Sequence, residues 1–297
     1  MKPVICFGEV LWDILPSGPL PGGAPMNVAY HLKKLGTEPA MITSIGNDDY
    51  GKKLHDIVTS NGITTEYFTV DDEYPTGLVY ANPNDKLEVV YDIVYPSAWD
   101  FIPWRDDYTA LLEQSRFFVF GSLTSRNKTS RETLYQLIET GSTNVLDINL
   151  RAPHFQRPQL EYLLEKCDIL KMNQSELELV SDWYGKFETL EDRMRLIGDR
   201  FNIQTIIVTM GADGAWLFRG DTFYRHPGYV VKVADTIGSG DGFLAGYLHQ
   251  VLNGATPGKA LEFAAATGAF IATHNGACPA YETSDILQLM KTPVSAG

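Results

Sequence analysis

Apolar β-type runs alternate with helical patterns along most of this 297-residue chain, and this alternation constrains its fold more than any other feature. A strand that is followed by a helix and a further strand usually returns to the same sheet in parallel orientation. Runs such as Pro3–Phe7, Ala40–Ile45 and Phe117–Phe120 are apolar enough for strands that are covered on both faces. The sequence therefore predicts an α/β fold with a mostly parallel central sheet, which binds ligands at the carboxyl ends of its strands.

One segment departs from this alternation and predicts a second, smaller sheet. Three short β-type runs, Thr65–Val70, Thr76–Ala81 and Leu87–Tyr95, follow one another without a helix between them. Consecutive strands that are joined by tight turns are antiparallel. We expect one domain over residues 1–297 with a β lid inserted at 63–98, to which residues at about 10–20 contribute. Because one face of such a sheet stays open, it is expected to cover a site, to form a homodimer, or both.

The end of this segment is rich in aromatic side chains, namely Tyr91, Tyr95, Trp99 and Phe101. Aromatic residues dominate packed interfaces, so a place in the lid core or in a dimer contact is the favoured interpretation. Stacking of one ring on a bound ligand is the alternative.

The stretch Val231–Leu252 predicts an anion-binding site. The run Tyr229–Ala234 is β-branched and apolar, which favours a buried strand. Gly238, Ser239 and Gly240 then interrupt it and lead into a helix with apolar residues at helical spacing. The first amides of a helix lack intrahelical partners, and the helix dipole adds partial positive charge there. A phosphate group is the usual ligand of such a turn.

Asp241 lies at the same helix start. A carboxylate repels a resting phosphate, but it can take a proton from a hydroxyl group that attacks a phosphoryl group. Asp also favours helix N-caps, so a capping role is the alternative. Neither the P-loop pattern nor G-x-G-x-x-G is present, which argues against the enzyme classes that depend on them, dinucleotide-dependent oxidoreductases included.

Composition narrows the class of protein further. The net charge is −13 and no cluster of five or more basic residues occurs, so nucleic acid and anionic membranes are not expected as partners. Cys6, Cys167 and Cys278 are scattered, odd in number and without C-x-x-C spacing, which favours a reducing compartment. With no apolar run near the roughly 20 residues of a membrane span and no signal-peptide pattern, we expect a cytoplasmic protein.

Most polar or glycine-rich segments directly follow a predicted strand, so one edge of the sheet can bring them together. They are Asp147–Arg151, Asn173 with Glu176, Met210–Gly214 and Asp235–Asp241.

Two of the motifs resemble the signatures of the ribokinase-like (PfkB) carbohydrate kinases. They are Gly22-Gly23-x-x-x-Asn27 near the N-terminus and Asp235–Asp241 (DTIGSGD) near the C-terminus. Asn173-x-x-Glu176 and Val208–Gly214 (VTMGADG) are similar to two further motifs of that family, in the expected order. The segments GGAPMNVA, GEVLWD and DINLR are most similar to bacterial fructokinases. The resemblance extends over essentially the whole chain, the lid included.

The resemblance implies a role for each matching residue. Asp241 would be the general base, and Gly238, Ser239 and Gly240 would form the anion hole for the transferring phosphoryl group. The residues that would bind the sugar are Asp13, Gly23, Asn27 and, as a candidate for contact with the sugar or the phosphoryl group, Arg151.

The resemblance also implies ATP and Mg²⁺ as cofactors. Asn173 and Glu176 would organise Mg²⁺ and its waters around the phosphates, although Asn-x-x-Glu at a helix start also fits a capping box. Thr209, Gly211 and Gly214 would line the nucleotide site. A K⁺ site would lie near Asp235, the Ile237 carbonyl group and the Asn275–Ala277 turn; Ile237 stands where Thr is frequent in the family.

The resemblance therefore implies an ATP-dependent sugar kinase that acts on a primary hydroxyl group of a ketose, with fructose as the expected substrate. Ribokinase, 2-keto-3-deoxygluconate kinase and nucleoside kinase activities are the alternatives within the family. A kinase-like protein that binds a sugar and regulates a partner is the alternative outside enzymes. A homodimer through the lid is expected by analogy.

Overall fold

The computed structural model describes residues 3–16, 18–83 and 89–294. The strands over these residues are β1 (Val4–Phe7), β2 (Leu11–Leu15), β3 (Gly18–Gly22), β4 (Pro39–Gly46), β5 (Phe68–Asp71), β6 (Gly77–Pro83), β7 (Val89–Ile93), β8 (Phe117–Gly121), β9 (Thr143–Asp147), β10 (Ile169–Asn173), β11 (Thr205–Thr209), β12 (Ala215–Arg219) and β13 (Thr222–His226). The helices are α1 (Ala24–Lys34), α2 (Asp49–Ser60), α3 (Asp107–Glu113), α4 (Lys128–Ile138), α5 (Arg157–Lys166), α6 (Gln174–Ser181), α7 (Leu190–Phe201), α8 (Ser239–Leu252), α9 (Pro257–Ala272) and α10 (Thr283–Leu289).

Nine of these described strands form one large sheet in the order β13-β12-β11-β10-β9-β8-β1-β4-β5. Neighbours from β11 to β5 are parallel, and β12 and β13 are added antiparallel at one edge. The prediction of a mostly parallel sheet with an additional small sheet is confirmed.

Alternate residues of each central strand face opposite cores, as the pleat requires. In β1, Val4 and Cys6 pack with α1, α8 and α9, whereas Ile5 and Phe7 pack with α3 to α7. Burial on both faces explains why these strands are continuous apolar runs. The carboxyl ends of the parallel strands therefore share one edge, where polar residues remain accessible.

The small sheet has the order β3-β2-β6-β7, and one prediction about its strands was wrong. The run at Thr65–Val70 was expected in the lid, but β5 pairs with β4 in parallel orientation and belongs to the large sheet. Gly18–Gly22 pairs with β2 as an edge strand of this sheet, where proline is tolerated. Local patterns do not show which strand a short β-run pairs with.

The pairing of β2 with β6 is parallel, whereas the lid was expected to be antiparallel throughout. The first part of the predicted strand Leu87–Tyr95, residues 87 and 88, lies outside the described residues, and its described part is β7.

The predicted strand Tyr229–Ala234 is absent from the described sheets: only Tyr229 forms an isolated bridge, to Val294. Val230 and Val233 are 67% and 55% exposed, whereas Tyr229 is buried and Val231 packs against the core, so the segment is only partly covered. It lines a cavity, as described below. Within the described ranges, no helix is both long and apolar enough to cross a membrane.

Candidate active site

Two adjoining cavities open at the carboxyl ends of the parallel strands. The first has a volume of about 390 Å³ and lies between β1, β9 and β10 and the small sheet. The second has a volume of about 560 Å³ and lies between β11 and helices α8 and α9. The residues that line both cavities are Asn173, Thr209, Thr236 and Gly240. The start of α8, which includes Gly240, therefore lies at the junction of the two cavities.

The start of α8 is a tight turn around Gly238. Gly238 adopts a left-handed conformation with φ of 76°, and a Cβ atom there would lie 2.6 Å from the Cα atom of Ala277. Ser239 Oγ donates a hydrogen bond to the Gly268 carbonyl of α9 at 3.0 Å, which ties the turn to the neighbouring helix. The amides of the first helical turn have no intrahelical partners, and Gly240 brings this end of the helix to the junction of the cavities.

Asp241 faces the first cavity from the same helical turn. Asn27 Nδ2 donates a hydrogen bond to its Oδ2 at 2.8 Å, which orients the carboxylate. Burial raises the pKa of Asp241 to about 6, Asp147 adds to the increase, and Lys171, Asn27 and Arg151 oppose it. The carboxylate is therefore ionised at neutral pH, yet it is more basic than an exposed aspartate.

All four residues predicted to bind the sugar, Asp13, Gly23, Asn27 and Arg151, line the first cavity. Burial and the nearby charge of Asp241 raise the pKa of Asp13 to about 6, and Arg151 opposes this shift. Gly23 has φ of 113°, and a Cβ atom there would lie 2.3 Å from the Glu9 carbonyl oxygen. Only glycine allows this close approach of two backbone segments.

Of the lid aromatics, Tyr95, Trp99 and Phe101 do not line the first cavity, and the side chain of Tyr91 lies outside the described residues. Trp99 is fully buried, Phe101 stacks on Tyr74 with ring centroids 3.7 Å apart, and Tyr95 is 56% exposed. The placement of Trp99 and Phe101 favours packing over stacking on a ligand, whereas Tyr95 is open to solvent.

Asn173 and Glu176 form a reciprocal capping box at the start of α6. Glu176 is buried, and its two carboxylate oxygens accept the backbone N–H groups of Asn173 and Leu150, each at 2.8 Å. Asn173 lines both cavities. Glu176 lines neither cavity and is joined to Asn173 by the hydrogen bonds of the capping box.

The predicted Mg²⁺ is compatible with these two residues through water. Each Glu176 oxygen keeps a further lone pair, and Mg²⁺ usually binds phosphate oxygens and waters with few protein ligands. The described part of the chain contains no group of three or more His, Cys, Asp or Glu side chains that could hold a metal ion.

Thr209, Gly211 and Gly214 line the second cavity, as predicted for a nucleotide site. The opposite wall is apolar and comes from the segment after β13 and from α8 and α9. It includes Val231, Val233, Phe243, Ala265 and Ala269. A flat aromatic base fits such a wall, and the polar junction fits its phosphates.

Asp235 joins the two segments predicted to hold a monovalent cation. Its Oδ1 accepts the Ile237 N–H and its Oδ2 accepts the Gly276 N–H, both at 3.1 Å. The loop before α8 and the turn after α9 are thus adjacent.

Three charged residues of the site were not identified as such from the sequence. Glu9 is buried in the first cavity, where burial raises its pKa to about 7 despite a hydrogen bond from Thr124. Asp147 and Lys171 form a buried ion pair beside α8. A lysine between apolar residues of a predicted strand was the available signal for this pair.

The large α/β sheet places a basic carboxylate at a helix N-terminus, between a polar and an apolar cavity, and this arrangement is compatible with phosphoryl transfer. The profile described as pfkB family carbohydrate kinase matches residues 20–284. The chain belongs to this family of sugar kinases.

A relative and two solved structures illustrate the similarity. A protein of Arabidopsis thaliana named "Probable fructokinase-3" is 28% identical over 309 residues, which cover 94% of this chain and 88% of the relative. A fructokinase of Xylella fastidiosa with bound ATP superimposes with a TM-score of 0.87 at 23% identity and covers 98% of each chain. A fructokinase of Vibrio cholerae O395, bound to fructose, ADP and a calcium ion, has a TM-score of 0.84 at 24% identity and covers 98% of this chain and 99% of its own. The structural matches show the shared fold.

Proposed function

We propose that this protein is an ATP-dependent fructokinase that phosphorylates a primary hydroxyl group of the ketose. The observation that carries the proposal is the position of Asp241, which Asn27 orients at 2.8 Å beside the junction of the two cavities. A sugar in the first cavity and ATP in the second would bring a hydroxyl group and the γ-phosphate together at this carboxylate. The relative named "Probable fructokinase-3" supports fructose among the possible sugars.

In this proposal, Asp241 removes the proton of the sugar hydroxyl as the oxygen attacks the γ-phosphorus. The new sugar O–P bond forms while the bond to the β–γ bridging oxygen breaks, and ADP leaves with that oxygen. The turn from Gly238 through Ser239 to Gly240 stabilises the charge on the transferring group, because helix N-terminal amides point at it. Asp13, Gly23, Asn27 and Arg151 hold the sugar.

On the nucleotide side, Thr209, Gly211 and Gly214 line the space for the base and ribose, and Asn173 faces the phosphates. Mg²⁺, when bound, would neutralise phosphate charge, and Asn173 and Glu176 would hold its waters. K⁺ would lie near Asp235, Ile237 and the turn at residues 275–277, where it would support the loop before α8.

The proposal predicts that the purified protein releases ADP from MgATP in the presence of fructose. We expect turnover in the ordinary range of about 1–10³ s⁻¹, stimulated by K⁺ and selective for fructose over ribose, 2-keto-3-deoxygluconate, tagatose and adenosine. A coupled ADP assay with each acceptor measures this. Selectivity for another acceptor would show that this acceptor, and not fructose, is the substrate, and the proposed mechanism would stand. Sugar binding without ADP release would favour a regulatory protein.

We further propose a homodimer formed through the outer face of the small sheet. In the strand register, Asp13 and Val79 share the face that lines the first cavity, so Ile14 and Tyr80 lie on the opposite face. Tyr80 is 38% exposed. Sedimentation velocity at micromolar concentration should show a dimer, and Tyr80→Glu should shift it towards monomer. The control is Val70→Glu, on the 56% exposed edge of the large sheet, and a monomeric wild type would contradict the proposal.

A further inference from the structure

Lys171 is a charged residue in the middle of a strand that is otherwise buried in apolar surroundings. Along β10, Leu170 and Met172 pack into the core on the side of α3 to α7. Lys171 points to the other side with Ile169, towards α8. Its exposure is only 7%. Burial by itself lowers the pKa of Lys171, but Asp147 above all, with Asp241 and Glu176, raises the pKa overall, so the ammonium group is charged at neutral pH.

The ammonium group of Lys171 is held in place by Asp147. Its Nζ donates hydrogen bonds to Oδ1 at 3.0 Å and Oδ2 at 2.8 Å, and the two residues are adjacent in the parallel register of β9 and β10. An ammonium group has three N–H donors, and the third finds no acceptor among the residues that the structure describes.

The same ammonium group lies against the anion-binding turn. A Cβ atom placed on Gly240 would be 2.9 Å from Nζ, and Lys171 lines the first cavity together with Asp241. Gly240 itself lines both cavities. The positive charge is therefore located at the junction, directly beside the first turn of α8.

Stabilisation of the sheet is a poor explanation for this ion pair. Removing two charges from water costs several kcal/mol per ion, and apolar residues of similar volume often hold strands together equally well. A buried pair that lines a ligand cavity at the carboxyl ends of its strands is better explained by what enters the cavity.

We propose that Lys171 is a further catalytic residue, whose free N–H donor contacts the phosphoryl group at the junction of the two cavities, and that Asp147 is the positioning residue that aims it. The inference rests on the proposed kinase reaction. The charge compensates the negative charge on the transferring group, as preorganised cations do in other phosphoryl transfers. Asp147 leaves one donor of Lys171 available and restrains the flexible side chain.

The pair also has two opposite effects on the general base. Asp147 raises the pKa of Asp241 and Lys171 lowers it. Loss of the lysine charge should therefore move the acid limb of the activity profile to higher pH, and loss of the Asp147 charge should move it to lower pH.

The decisive measurement is nucleotide binding, which needs no sugar. For Lys171→Met, isothermal titration calorimetry should show AMP-PNP binding weakened by about 10- to 100-fold, because a charge-assisted hydrogen bond to the terminal phosphate is lost. The affinity for ADP should change by no more than about twofold, since ADP lacks that phosphate. Turnover should fall by about 10²–10³-fold. Lys166→Met removes a lysine from an exposed ion pair with Glu139 and is the matched control.

Equal affinities of wild type and Lys171→Met for AMP-PNP, or equal losses for AMP-PNP and ADP, would overturn the proposal. If Lys171→Met does not fold, Asp147→Asn keeps the lysine but removes the charged acceptor that aims it. AMP-PNP binding should then weaken more than ADP binding, and an unchanged ratio of the two affinities would overturn the proposal. If the wild type is inactive with fructose and all other acceptors, the proposed function fails, but the comparison of the two nucleotides still tests Lys171.

Discussion

Replacement of Asp241 by Asn should lower turnover by about 10²–10⁴-fold while the fold persists. The amide can replace the carboxylate in size and can still accept a hydrogen bond from Asn27, but it cannot take a proton from a sugar hydroxyl. Because the proposed mechanism places this side chain at the reacting hydroxyl group, we expect the loss in kcat and only a small change in the affinity for ATP. Steady-state kinetics with the active sugar measures both.

A matched control for this variant is Asp49→Asn. Asp49 also lies in the first turn of a helix, α2, but its side chain is exposed and lines neither cavity. Its replacement should leave kcat unchanged. If Asp241→Asn retained wild-type turnover, Asp241 could not be the general base. Helix capping, the alternative considered from the sequence, would then be its role.

The same carboxylate should set the pH dependence of the wild type. Its pKa is raised to about 6, so kcat/KM should fall as the pH drops through about 6, where the base becomes protonated. Asp13, whose pKa is also raised to about 6, contributes to the same limb. When the pKa of an acid is higher in the folded than in the unfolded state, the stability of the protein decreases as the pH rises from the unfolded-state pKa through the folded-state pKa. Asp241→Asn should therefore have a higher Tm than the wild type at pH 8.

Gly238→Ala should abolish most activity and also destabilise the protein. The new Cβ atom would lie 2.6 Å from the Ala277 Cα atom and 2.7 Å from its carbonyl oxygen, and φ of 76° is unfavourable for alanine. Strain and overpacking together should lower the free energy of unfolding by about 2–4 kcal/mol. Displacement of the turn should reduce kcat by about 10²-fold or more, because its amides would no longer point at the phosphoryl group.

The other end of the same helix provides the control for Gly238→Ala. Gly254 follows α8 with the same φ of 76°, but a Cβ atom there would meet nothing within 4 Å. Gly254→Ala should cost about 1–2 kcal/mol from the backbone conformation alone and leave kcat intact. Urea unfolding and steady-state kinetics of both variants separate the two contributions. Equal effects of the two substitutions would show that the contact with Ala277 is unimportant.

Much of the large sheet could be predicted because its signals are local. Continuous apolar strands, helical spacing and glycine stops are properties of short segments, and they led to the parallel sheet and to the helix that starts beside Asp241. The order of polar segments after strands predicted correctly that Arg151, Asn173 and Asp241 meet, since parallel strands present their carboxyl ends at one edge, whereas the place of Asp13 and Asn27 beside them was implied by the family resemblance.

Predictions failed where a residue's partner is distant in sequence. The run ending at Val70 pairs with β4 and not with the lid. The apolar segment at residues 229–234 became a cavity wall because no neighbouring strand pairs with it over its length. Short β-runs look alike locally, and packing free energy decides their neighbours.

The sequence by itself determined the fold class, the glycine-rich turn at the start of α8 and the carboxylate of Asp241 beside it, because each depends on residue type and spacing within a short segment. Only the tertiary structure decided that Glu176 lies behind Asn173 and that Asp147 holds Lys171 under Gly240. Those relations join residues from different strands. They depend on which strands are neighbours and on the burial of charges that their pairing imposes, and no local pattern contains that information.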